Sequence, residues 1–195
     1  MAAVGAAADR RGQRKSNAGG GAAEDDEDGS GDEADEDVAN PRHKIGLGRY
    51  TDDAQMSIAV TEVQLLGGLT SAHFADAFVS CFKRDQREGY AGGFYAFLTK
   101  VVNGTEFIRD IKPFSDKSGA AMRSVTLGIL PTIDRVREIC TLRAKLTHDT
   151  PDGIAAAVAA SLSAHYFLYG LGAKADLGNF LNKHVPGRDW AAPYQ

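Results

Sequence analysis

The chain has 195 residues, a formal net charge of −4 and 43% hydrophobic residues, so it is long enough for one domain of ordinary size with its own core. The charge is uneven: residues 1–40 contain 11 acidic and 4 basic side chains, which leaves residues 41–195 with a net charge of +3. This mildly basic body is compatible with a phosphate-bearing ligand but lacks the strongly basic surface of a nucleic-acid-binding protein. No apolar run approaches the ~18 residues of a membrane span, so neither nucleic acid nor a membrane is an expected partner.

The first 40 residues are predicted to form a disordered acidic tail. They are rich in Ala and Gly, then almost purely acidic from Glu24 to Asp37, and they contain no aromatic residue. Such a segment cannot bury enough apolar surface to offset the entropy that the chain loses on folding. The tail is therefore interpreted as solvated, with docking to a basic partner as a second interpretation. Residues 41–195 are expected to form the folded domain.

The first predicted helix begins at Thr51, with apolar residues at helical spacing from Met56 to Leu66 and with Gly67-Gly68 as its end. Thr51 is placed as the N-cap, whose side-chain oxygen would accept a hydrogen bond from a backbone N–H one turn ahead. Asp52 and Asp53 fall in the first turn, where the helix macrodipole stabilises a carboxylate by ~0.3–1 kcal/mol. The same three oxygen-bearing side chains also suit a hard cation such as Mg²⁺. The spacing alone leaves both interpretations open.

Further helix starts are predicted from capping residues and glycines: Thr70 or Ser71, Gly92-Gly93, Thr132, and Thr150 followed by Pro151. Asn103-Gly104 is interpreted as a break, and the polar residues 109–118 are given no helix. A last short helix is built on Leu177, Phe180 and Leu181, and Val185-Pro186-Gly187 ends it. The pattern predicts about seven helices and no strand, so the fold class is all-α.

Two cysteines, Cys81 and Cys140, lie inside predicted helices, far apart in the sequence. We expect each to be a small buried hydrophobic residue. Two thiols in a chain of this length do not form a disulfide framework, so a reducing compartment, the cytoplasm, is predicted.

Two later segments are candidates for ligand contact. Ser118-Gly119-Ala120-Ala121-Met122-Arg123 places small residues at a predicted helix start, where either a ligand or another helix could approach the backbone closely. His148 follows Thr147 in a loop between helices, a typical position for an imidazole that contacts a ligand.

The residues resemble a known family. Tyr50-Thr51-Asp52-Asp53-Ala54-Gln55-Met56 resembles the Thr-Asp-Asp-Thr-x-Met signature of the ADP-ribosylglycohydrolases. The segment 118–123 resembles that family's (Asn/Ser)-Gly-Ala-x-Met-Arg loop, and Leu146-Thr147-His148 resembles its Thr-His element. The three elements occur in the family's order, and the resemblance covers residues 45–190.

This resemblance implies an orthogonally packed all-α domain that hydrolyses a glycosidic bond of ADP-ribose at a dinuclear Mg²⁺ centre in a cleft. Thr51, Asp52 and Asp53 would be metal ligands. An ADP-ribosylated protein or an ADP-ribose-containing small molecule would be the substrate. The residues implied for binding it are Ser118, Gly119, Ala120, Met122 and His148, and no residue is assigned as the catalytic acid or base.

The chain departs from the family pattern in two respects that matter. It contains no Asp-x-Asp after Asp53, where the family carries a second metal motif, and the family's opening Gly-Asp-Ala helix has no counterpart. An incomplete metal site and an apparently truncated domain are therefore expected. The alternatives are a fragment or diverged member that at most binds ADP-ribose or a nucleotide, and a helical interaction module with an acidic tail.

Overall fold

The computed structural model describes residues 48–192, so the predicted tail at 1–40 lies outside the described residues. Within this range the chain forms eight α-helices, two short 3-10 helices and no strand, which confirms the all-α fold class. None of the helices in this range is both long and apolar enough to cross a membrane. The α-helices are α1 (Asp52–Leu66), α2 (Ser71–Arg84), α3 (Gly92–Lys100), α4 (Gly104–Asp110), α5 (Gly119–Met122), α6 (Ile133–Lys145), α7 (Pro151–Leu168) and α8 (Leu177–His184).

Most predicted helix boundaries are confirmed by the capping contacts. The side chains of Thr70, Thr132 and Thr150 each accept a hydrogen bond from the backbone N–H three residues ahead. Gly67 ends α1 with φ at 74°, a left-handed conformation that favours glycine. The prediction for Thr51 is wrong in one respect: Thr51 is the N-cap residue of α1, but its side chain makes no capping hydrogen bond.

The helix α4 was not predicted. Asn103, which was interpreted as part of a helix break, is the N-cap of α4, and its side chain accepts from the N–H of Glu106 at 2.9 Å. The Gly104 N–H donates to the Asp76 carboxylate of α2 at 2.6 Å. Asn and Gly favour both helix ends and helix starts, so the sequence pattern did not distinguish the two.

The segment 118–130, where a helix start was predicted, does not form one continuous helix. The four-residue α5 is followed by a 3-10 helix at Val125–Ile129. Gly128 in this 3-10 helix lies so close to α7 that an added Cβ would stand 2.7 Å from the Ala164 Cβ and 2.8 Å from the Ser161 carbonyl oxygen. The 3-10 helix occurs where the chain packs closely against α7. The spacing of apolar residues in the sequence does not indicate this tertiary contact.

The core is organised around α7, which contacts α5, α6, α8 and the Val125–Ile129 helix, while α1 packs on α2 and α2 packs on α4. Cys81 and Cys140 are buried free thiols, as predicted. The fully buried aromatic side chains are Phe74, Phe78, Phe82 and Phe107. This packing brings the start of α1, the short α5 and the loop between α6 and α7 to one cleft.

Candidate functional site

A cleft with a volume of about 1280 Å³ is lined by residues from all three segments that the sequence singled out. Asp52 and Asp53 come from the first turn of α1, Ser118, Gly119 and Met122 from the start of α5, and His148 from the loop before α7. Most of the other lining residues belong to two further walls, within residues 89–100 and 110–117. Segments almost 100 residues apart in the sequence therefore share one cavity.

The first turn of α1 is held by the loop that follows α2. The Asp52 N–H donates to the Glu88 carbonyl oxygen at 3.0 Å. Gly89, with φ at 106°, lies against the Asp52 carboxylate, and an added Cβ would overlap Oδ1. Only glycine combines this backbone conformation with this close approach. The loop therefore fixes where the Asp52 carboxylate sits in the cleft wall.

Neither carboxylate forms an ion pair with another of the residues 48–192. Burial raises the pKa of Asp52, and repulsion from Asp53 raises it further. Burial also raises the pKa of Asp53, while the Arg123 guanidinium acts in the opposite direction. Thr51 precedes them but does not line the cleft. A cation placed beside Asp52 and Asp53 would favour their ionised forms.

A buried hydrogen-bond chain supports α1 one turn below the carboxylates. The fully buried Gln55 accepts from the Tyr90 hydroxyl at 2.7 Å and donates to the Cys81 carbonyl oxygen at 3.3 Å. Burial raises the pKa of Tyr90, so this phenol stays protonated and donates to Gln55. Tyr90 also lines the cleft, so the same residue joins the wall to the core.

Two backbone N–H groups at the start of α5 are already hydrogen-bonded within the helix and are not available to a ligand. The N–H groups of Ala121 and Met122 both donate to the Ser118 carbonyl oxygen, at 2.9 and 3.1 Å. Ala120 does not line the cleft: it is buried, and its carbonyl oxygen accepts from Arg143 at 2.8 Å. Met122 therefore lines the cleft with its half-exposed side chain, whereas Gly119 can line it only with backbone atoms.

Two buried arginines, Arg123 and Arg143, lie beneath the start of α5 and His148, which together form the floor of the cleft; neither was predicted to have a role. Arg123 lines the cleft, is 4% exposed, and lies over the Phe78 ring at 5.1 Å. Burial and the neighbouring charge of Arg143 lower the pKa of Arg123 to about 9. Arg143 is completely buried, and its Nη2 donates to Ala120 and Ser124. Arg143 follows Cys140 by three residues and so lies on the apolar face of α6, a position that could have indicated its burial.

His148 occupies the other side of the floor. It is 5% exposed, its Nδ1 lies 2.7 Å from the Thr147 hydroxyl, and its Nε2 is buried without a hydrogen-bond partner among the described residues. Burial, then the charges of Arg123 and Arg143, lower the pKa of His148 to about 4. The ring is therefore neutral near pH 7.

The loop at residues 113–115 runs antiparallel to the segment that carries His148. The Asp149 N–H donates to the Pro113 carbonyl oxygen at 2.6 Å, and the Ser115 N–H donates to the Thr147 carbonyl oxygen at 3.4 Å. This short pairing connects the wall at residues 110–117 with the segment that carries His148. The polar sequence around Pro113 did not predict the pairing.

The oxygen donors present fit a magnesium ion only in part. Asp52 and Asp53 are adjacent hard ligands, and Mg²⁺ commonly takes one or two carboxylates together with water and substrate phosphate. Across residues 48–192, however, no group of three or more acidic, histidine or cysteine side chains converges on one point. The described residues thus suit one ion with an open coordination sphere and do not supply the ligands of a dinuclear centre.

No curated protein matches this chain. The sequence model of the ADP-ribosylglycohydrolase family matches residues 3–192. The match extends beyond the range of residues 45–190 that the three motifs suggested and includes the segment interpreted as a tail. It covers nearly the whole chain, and the helical fold agrees with it. The chain belongs to the ADP-ribosylglycohydrolase family.

Proposed function

We propose that the cleft binds ADP-ribose and that the chain hydrolyses a glycosidic bond between ADP-ribose and an acceptor, with Mg²⁺ as cofactor. The observation that carries this proposal is the meeting of Asp52, Gly119 and His148 in one cleft. Family membership supports a hydrolase, and an ADP-ribosylated protein or a small molecule containing ADP-ribose is the substrate class that fits.

The charges of the cleft match the two ends of such a substrate. Lys100, Lys112 and Lys117 line one part of the cavity, and Arg123 lies in its floor. Asp110 and Asp116 also line the cavity, so the cations are not its only charges beyond α1. A pyrophosphate carries negative charge that these cations attract. The backbone of Gly119, free of a side chain, allows close approach of a phosphate or ribose oxygen.

The carboxylates at the start of α1 suit the reacting end. Asp52 and Asp53 would hold Mg²⁺, which as a Lewis acid would polarise a substrate oxygen and help to acidify water; Thr51, which does not line the cleft, would reach the ion only from behind them. Glycosidic cleavage passes through a transition state with oxocarbenium character, and fixed carboxylates stabilise that positive charge. Gly89, which has no Cβ, leaves the space that the Asp52 carboxylate occupies.

A second candidate function is binding without hydrolysis. The absence of a third acidic ligand near Asp52 and Asp53 among residues 48–192 favours it, because two carboxylates on one helix do not by themselves fix two ions. In this case ADP-ribose would bind through the floor of the cleft, including Gly119 and His148, independently of metal.

Calorimetric titration with ADP-ribose, with and without Mg²⁺, separates these functions when it is combined with an assay for ADP-ribose release from a modified protein. For the hydrolase, we expect release that needs Mg²⁺ and that Asp52→Asn lowers by about 100-fold or more, since a transition-state charge interaction is typically worth ~2.7–4 kcal/mol. Asp134→Asn is the matched control, because Asp134 is an exposed acid in the first turn of α6.

Binding that is unaffected by Mg²⁺ and by Asp52→Asn, without release, would favour the binding function. Absence of ADP-ribose binding under all conditions would refute both.

A further inference from the structure

The side chains beneath the cleft form a short chain of hydrogen bonds that ends at His148. Arg123 Nη2 donates to the Thr147 hydroxyl oxygen, and the same oxygen lies 2.7 Å from His148 Nδ1. All three side chains are at least 95% buried, so water does not compete for these contacts.

The donors and acceptors allow two arrangements of this chain. A guanidinium can only donate, whereas a hydroxyl has one hydrogen and accepts through its oxygen. In the first arrangement Thr147 accepts from Arg123 and donates to Nδ1 of His148, which places the ring proton on Nε2. In the second, Nδ1–H donates to Thr147, which then accepts from both neighbours.

The second arrangement leaves two buried groups unsatisfied. The Thr147 hydrogen would have no acceptor, since its hydroxyl makes no other hydrogen bond among residues 48–192, and Nε2 would be a buried acceptor without a donor. Unsatisfied buried groups are costly. The first arrangement satisfies the Thr147 hydroxyl and His148 Nδ1 and leaves only Nε2–H of the imidazole unpaired, while Arg123 Nε has no partner among residues 48–192 in either arrangement.

The surroundings of Nε2 agree with a donor. An added Cβ on Gly119 would lie 3.9 Å from this atom, so it faces the start of α5.

From this geometry we propose that Arg123 and Thr147 are positioning residues that fix His148 as the Nε2–H tautomer. His148 thereby offers the cleft a hydrogen-bond donor and is not a general base. The ligand atom that it contacts is an acceptor, such as a phosphate, ribose or ring-nitrogen acceptor. This role rests on the proposed function only as far as the ligand is ADP-ribose.

Nitrogen-15 NMR of the imidazole rings at pH 7.5 tests the proposal without any ligand, because protonated and unprotonated ring nitrogens resonate in separate regions. The His148 signals are identified by their loss in His148→Gln. We expect Nε2 in the protonated region and Nδ1 in the unprotonated region, with a preference of roughly tenfold or more. Protonation on Nδ1, or an even mixture, would overturn the proposal whether or not the chain binds ADP-ribose.

Two variants of Thr147 test the positioning role. Thr147→Ser keeps the hydroxyl and should retain the wild-type ring signals. Thr147→Val removes it and should move the His148 signals toward a tautomer mixture, while circular dichroism reports that the fold is intact. Wild-type ring signals in folded Thr147→Val would refute the role of Thr147. If this variant does not fold, Arg123→Lys supplies the test, since a compact ammonium does not reproduce the guanidinium contact.

Binding gives a second readout of the same tautomer. Gln can present an amide N–H near the position of Nε2, so His148→Gln should retain ADP-ribose affinity within about threefold, whereas His148→Leu should lose about tenfold. Equal losses in both variants would show that His148 does not act as a donor. Unchanged affinity in His148→Leu, together with normal binding by the wild type, would show that the histidine does not contact the ligand.

Discussion

The depressed pKa of His148 makes the stability of the fold depend on pH in a specific range. In the unfolded chain this imidazole has its ordinary pKa of 6.5, and in the folded protein burial and the charges of Arg123 and Arg143 lower it to about 4. As pH falls below 6.5 the unfolded chain binds a proton that the folded protein still excludes. The free energy of unfolding therefore falls between about pH 6.5 and pH 4, and the full contribution of His148 is present above pH 7.

The magnitude follows from the difference between the two pKa values. At ~1.36 kcal/mol per pKa unit, a fall from 6.5 to about 4 corresponds to roughly 3 kcal/mol as an upper limit. This is a large part of the ~5–15 kcal/mol by which a domain of ordinary size is stable. The raised pKa values of Asp52 and Asp53 act in the opposite direction at low pH, so the wild type alone would show a smaller net change.

The variant His148→Gln isolates the effect, because it keeps both aspartates and both arginines. Urea unfolding, followed by circular dichroism at several pH values from 8 to 4.5, gives the free energy of unfolding of each protein. We expect the difference, wild type minus variant, to be constant above pH 7 and to fall by as much as ~3 kcal/mol toward pH 4. A difference that stays constant across this range, or that rises as pH falls, would refute the assignment of a depressed pKa to His148.

Two further predictions concern packing. Gly128→Ala should lower the free energy of unfolding by ~1–3 kcal/mol, because its Cβ would meet α7 at 2.7 Å; Gly92→Ala, where a Cβ meets no atom within 4 Å, is the control and should leave stability unchanged or raise it slightly. Leu162→Ala removes a fully buried side chain of α7 and should cost ~2–5 kcal/mol in urea unfolding. Leu168→Ala, at a position of the same helix that is 60% exposed, should cost less than ~0.5 kcal/mol, and equal losses at the two leucines would contradict the burial seen here.

Helix positions were predictable where a local signal determines them. Thr70, Thr132 and Thr150 are capping residues whose side chains make the contacts that their position in the sequence indicated. The Ala-rich helix α7 lies against α5, α6, α8 and the Val125–Ile129 helix, as expected of a helix that is apolar on most of its surface. These inferences needed no knowledge of distant residues.

The errors arose where the same residue types serve two purposes or where a distant contact decides. Asn103 is the N-cap of α4, whereas it was interpreted as part of the break after α3. Asn followed by Gly is common at both kinds of position, so the sequence alone does not distinguish them. The close approach of Gly128 to α7 is a tertiary contact that no local spacing records. Thr51 keeps its side chain out of the cap although its residue type suits one.

The cleft could be predicted only through the family resemblance. Nothing in the spacing of Asp52, Gly119 and His148 indicates that they share a cavity, since their separation depends on how α1, α5 and the α6–α7 loop pack. The hydrogen-bond chain from Arg123 through Thr147 was equally hidden, because an arginine next to a small-residue segment is usually a solvated side chain.

The buried pair Arg123 and Arg143 has a practical consequence for how this cleft behaves in solution. Among residues 48–192 neither guanidinium forms an ion pair, so positive charge remains beneath the cleft floor, although Asp52 and Asp53 offset part of it at Arg123. Lys112 and Lys117 add positive charge to the lining, to which Asp110 and Asp116 also belong. Such a field attracts small oxyanions regardless of their identity. Inorganic phosphate and sulfate are therefore expected to occupy part of the cleft as competitors, so the affinity for any anionic ligand should weaken in phosphate or sulfate buffers more than in chloride of equal ionic strength.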